Sequence, residues 1–108
     1  MTEIWSLPVT GAEQLDKARD SSSGRSALTI SGGRHRLRQT IIALTKGASL
    51  ADHDSPGDAT LQVVTGRIRL EWADGELILG ETELATIPPQ RHSLLALADA
   101  VVLLTIAR

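Results

Sequence analysis

The stretch Arg67-Ile68-Arg69-Leu70-Glu71-Trp72-Ala73-Asp74-Gly75-Glu76-Leu77-Ile78-Leu79 decides the fold class. Its first half alternates: Ile68, Leu70 and Trp72 fall on one face, Arg67, Arg69 and Glu71 on the other. That is the period of a half-buried strand. Asp74-Gly75 predicts a tight hairpin, because both residue types tolerate positive φ. Residues 76–79 then return as the second strand.

Working outward, the same grammar repeats. Strands are expected over 26–31, 35–45, 59–65, 83–87, 93–97 and 101–107, separated by Gly32-Gly33, Lys46-Gly47, Gly66 and similar turn signals. Short strands at this spacing, without intervening helices, predict an antiparallel sandwich or barrel. Residues 1–24 differ. Thr10-Gly11-Ala12-Glu13 has capping-box spacing, so a short helix is expected over 14–19, ended by Ser21-Ser22-Ser23-Gly24. The expected organisation is an N-terminal helical arm, 1–24, and one β domain, 25–108. Leu94-Leu95 and Val101-Val102-Leu103-Leu104 are apolar on both faces. Such strands are covered on both sides or lie at a subunit contact. A chain this short is expected to use a contact, hence a homodimer.

Composition narrows the function. The 108 residues, 42% hydrophobic and 22% charged, suit one globular domain. The absence of cysteine excludes disulfides, thiolate metal sites and cysteine nucleophiles; the absence of tyrosine excludes tyrosine acid–base chemistry. A net charge of -2 argues against a general nucleic-acid binder. No apolar run approaches the ~20 residues that span a bilayer, so no membrane role is expected. The start MTEIWSLPVTG lacks the basic residues and apolar run of a signal peptide, and the cytoplasm is the expected compartment.

The chemistry-bearing residues are few. Gly47, His53 and Gly66 are followed by Pro88 and His92 at telling intervals. The pattern resembles the cupin family of small β-barrels, whose first motif is G-x5-H-x-H-x3/4-E-x6-G and whose second is G-x5-P-x-G-x2-H-x3-N. The resemblance covers roughly residues 35–107. It implies an all-β double-stranded β-helix, or jelly roll, with a lumen that binds one divalent metal through three histidines and a glutamate. This sequence departs at half of those ligands. Ser55 stands at the second histidine; Ala59, or Thr60 at the longer spacing, stands at the glutamate. In the second motif the glycines become Thr82 and Gln90, and Ala96 takes the asparagine position.

Two imidazoles, His53 and His92, thus remain where catalytic centres usually use three protein ligands. Asp54 would alternate away from His53 in a regular strand. The expected function is a non-catalytic module that binds or senses a small molecule in the lumen, through His53, His92, Ser55 and Gln62, without a resident cofactor. The alternative is a metal-dependent enzyme of oxygenase or isomerase type, with a divalent transition metal on His53 and His92. A purely structural dimerisation unit is a third reading, and it predicts a lumen packed with Leu and Val.

Other motifs are weaker. Arg34, Arg36 and Arg38 share one strand face and could meet an anion, or form a solvated ion-paired surface with His35 opposite. Glu81 and Glu83 read as surface carboxylates. There is no G-x-S-x-G elbow and no phosphate loop. Trp72 is expected to anchor the barrel end, and Trp5 to clamp the arm.

Overall fold

The computed structural model describes residues 3–31, 36–53 and 57–107, with the backbone alone at 52 and 53. Among the described residues one helix, α1 (Leu7–Asp20), precedes nine strands: β1 (Arg25–Ser31), β2 (Leu37–Leu44), β3 (Ser49–His53), β4 (Ala59–Thr65), β5 (Ile68–Trp72), β6 (Gly75–Leu79), β7 (Leu84–Thr86), β8 (His92–Ala96) and β9 (Ala100–Ala107). They form two sheets, in the orders β1-β2-β9-β4-β7 and β3-β8-β5-β6. Every strand pairing is antiparallel. The first is the larger sheet, the second the smaller. Among the described residues no helix is long and apolar enough to cross a membrane.

Alternation builds the core between the sheets. Ile42, Leu44, Leu61, Val63 and Val102 point inward from the larger sheet; Ile68, Leu70, Leu94 and Ala96 meet them from the smaller. The other face of the larger sheet carries a second apolar layer. Ile41, Ala43 and Val101 are buried there with Ala18 of α1, and Leu7, Leu15, Val64 and Leu103 pack around them. The double-faced run on β9 is therefore covered on its outer face by the chain's own helix, whereas Leu95 of β8 stays half-buried. On β9 the second cover comes from α1, through Leu7, Leu15 and Ala18.

The helix runs 14 residues rather than the turn or two expected. It begins earlier because Ser6 is its N-cap, accepting from the Val9 amide at 3.4 Å. Pro8 sits in the first turn, where the missing N–H is harmless. Thr10, read as the cap, is instead buried inside the helix. Gln14 Oε1 accepts from the Ser26 hydroxyl at 2.5 Å, fixing α1 to β1. Arg19 meets Asp99 at 3.2 Å, and the Lys46 amide donates to the same carboxylate at 2.8 Å. Trp5 is 40% exposed; Leu7, Leu15 and Ala18 make the clamp in its place.

The β5–β6 hairpin forms, one residue earlier than expected. Trp72 pairs with Gly75, so the loop is Ala73-Asp74. Neither Asp74 nor Gly75 adopts positive φ. Gly75 serves packing: a Cβ there would lie 3.2 Å from Trp72 Cζ2, so the bare glycine makes room for the indole. Trp72 packs against the inner core and is the anchor expected. Gly47 and Gly66 do adopt positive φ, +87° and +85°. So does Thr82, at 70°, on a position where the motif frame calls for glycine.

Candidate functional site: the interior around His92

Strand β8 turns His92, Leu94 and Ala96 inward and leaves Ser93 and Leu95 half-buried on the outer face. His92 is 3% exposed. Its Nδ1 lies 2.8 Å from the Gln90 carbonyl. A carbonyl only accepts, so Nδ1 is the donor, and the neutral ring then carries its lone pair on Nε2.

The neighbouring strands align with this residue. Across the smaller sheet, His92 pairs with His53 of β3 on one side and with Trp72 of β5 on the other. The β3 partner depends on an irregularity. Leu50 pairs with Leu94 and His53 with His92, three residues along β3 against two along β8. That extra residue is a bulge, a local device that re-registers a strand. Without it Asp52, not His53, would stand opposite His92.

The space beside His92 is apolar. Among the described residues it is lined by Ile42, Leu50, Leu61, Leu70, Ile87, Leu94 and Leu104, with His92 the one that bears a polar side chain. The cavity is about 30 Å³, room for little more than a water or two. Larger ligands require those flexible aliphatic side chains to move. Gln62 does not join this site: its neighbours Leu61 and Val63 face the core, and its own amide donates outward to the Thr82 carbonyl at 3.4 Å. Ser55 and His35 lie outside the described residues, as do Arg34 and Asp54. Arg36 and Arg38 are exposed. Glu83 accepts from the Gly80 amide at 2.7 Å and Glu81 from the Gly66 amide at 3.4 Å, so these carboxylates shape turns.

No protein-family model matches the sequence, and no curated protein matches it. Solved structures do. A conserved protein of unknown function from Streptococcus pyogenes superposes with a TM-score of 0.76 at 20% identity, over 100% of this chain and 89% of that one. A cupin superfamily protein from Desulfitobacterium hafniense gives 0.70 at 13% identity, over 77% of this chain and 76% of that one. The chain has the cupin fold. KdgF from a Halomonas species is similar too, with a TM-score of 0.68 at 20% identity over 82% of this chain and 83% of that one.

Within the cupin frame, the positions that lack a motif ligand are now visible. Ala59, at the glutamate position, is 5% exposed with its methyl in the inner core, and Ala96, at the asparagine position, is 1% exposed. Thr60 alternates to the outer face of β4. Among the described residues no three His, Asp or Glu side chains cluster. The described residues that line this space offer one donor, His92, where a divalent centre with an open position uses three protein ligands; the side chain of His53 lies outside the described residues. The residues that sequence reading missed are the aliphatic walls themselves, Leu50, Ile87 and Leu104. Alternation marks them as core, and nothing local separates a wall from packing.

Proposed function

We propose that this cupin barrel is a non-catalytic module that binds a small, largely apolar molecule in the interior around His92. The buried imidazole of His92 at the wall of an open space supports this reading, because a lumen of Leu and Val packing alone is what a purely structural unit would hold. Apolar walls supply affinity through burial, and a single well-placed polar group orients the ligand. The metal-dependent alternative draws on the backbone register of His53 with His92. A homodimer would draw on exposed apolar side chains such as Leu77 and Ile78 of edge strand β6 and Leu84 of edge strand β7.

The reading is tested by titrating the full-length protein with 1-hexanol, observed by methyl and imidazole NMR. Saturable shifts at Leu50, Leu61, Leu94 and Leu104 methyls and at the His92 ring are expected. Shifts restricted to surface methyls would overturn it.

A further inference from the structure

We infer that the interior opens sideways, through the seam between edge strands β1 and β3, and that Arg25 at this opening selects ligands bearing a carboxylate. This rests on the binding reading above and names the ligand class it takes.

The two sheets end on this side in β1 and β3, which do not pair with each other. Strand register puts Arg25 opposite Leu44 and Ala27 opposite Ile42, so both belong to the inner face of the larger sheet. Leu44 and Ile42 are buried, yet Arg25 and Ala27 are exposed. The inner face of β1 therefore overhangs the smaller sheet and is wet. A shallow open recess below it is lined by Ser23, Arg25, Ser26 and Ala27, with Ile42 and Leu50 at its floor. Ile42 and Leu50 also wall the chamber beside His92. The same two side chains thus face the seam and the interior.

Arg25 stands across that seam. Its Nη1 donates to the Ser49 carbonyl of β3 at 3.1 Å. Among the described residues no carboxylate lies within ion-pair distance of it. A guanidinium bound to a neutral carbonyl gains on meeting a carboxylate, which accepts two parallel, charge-assisted bonds. The chemistry fits a short aliphatic monocarboxylate: head group on Arg25, chain running past Ile42 and Leu50 toward His92.

The test compares hexanoate with 1-hexanol on the full-length protein by NMR titration. Hexanoate is expected to bind about tenfold tighter, with ligand NOEs to Ala27, Ile42 and Leu50. Arg25→Gln, a change at an exposed site, is expected to erase that preference and leave hexanol binding unaltered. Equal wild-type affinities, a preference that survives Arg25→Gln, or hexanoate NOEs confined to the Pro88–His92 end would each overturn the inference while the chamber reading stands. Failure of both ligands to bind would overturn both.

Discussion

Gly47 and Gly66 share almost the same backbone conformation, φ +87° and +85°, yet differ in surroundings. A Cβ on Gly47 would meet nothing within 4 Å. A Cβ on Gly66 would lie 2.2 Å from the Asp99 carbonyl oxygen and 2.8 Å from Ala100 Cα. Both contacts are backbone, and Ala100 is fully buried at the start of β9. Gly47→Ala should therefore cost only the left-handed penalty, about 1–2 kcal/mol. Gly66→Ala carries that same penalty and forces the β4–β5 turn off β9, adding about 1–3 kcal/mol of overpacking. The total, roughly 2–5 kcal/mol, is a large share of the roughly 5–15 kcal/mol that holds a domain together. Urea unfolding followed by far-UV circular dichroism measures both variants, provided the slope stays constant. Equal losses at the two positions would refute the claim that Gly66 is required by close approach as well as by φ.

Three further outcomes are expected. Thr82→Gly should stabilise by up to about 1 kcal/mol, because a β-branched residue at φ 70° is strained by more than glycine's extra unfolded-state entropy takes back; a thermal melt lower than wild type would refute this. Ile41→Ala, at a side chain fully buried between the larger sheet and α1, should cost about 2–5 kcal/mol, and a loss under 1 kcal/mol on that scale would mean the helix does not cover this face. The Lys46 amide, and then Arg19, hold the Asp99 carboxyl below its ordinary value. A depressed folded value stabilises above the unfolded one and is lost as pH falls through the folded one. Asp99→Asn should thus cost well under about 1 kcal/mol at neutral pH, the pair being exposed, and the difference should vanish in acid. A difference that grows on acidification would contradict the assignment.

Much of the fold is legible in the residues because alternation is a local signal. The stretch 67–79 encodes a hairpin by period and turn chemistry, and β5–β6 forms within one residue of that expectation. Strand β3 is not legible: Ser49, Ala51 and Asp52 are poor strand formers, and the pairing with β8 supplies what they lack. The reach of α1 escaped for a similar reason. Ser6 and Pro8 are a good helix start, but Thr10 with Glu13 presents a competing cap, and burial of Thr10 against the sheet decides between them. The spacing of His92 from Pro88 marks it in the sequence, whereas the face of Gln62 depends on register that only the neighbouring strands fix. The seam at Arg25 has no local signature. It arises where two sheets of unequal width fail to overlap.

The central claim is that the barrel interior serves as an apolar chamber and not as a metal centre. Elemental analysis of protein purified without chelator, from medium supplemented with iron, manganese, nickel and zinc, addresses it directly. Metal well below one equivalent per chain, unchanged in His92→Ala, is expected. One equivalent in the wild type that disappears in both His53→Ala and His92→Ala would contradict it.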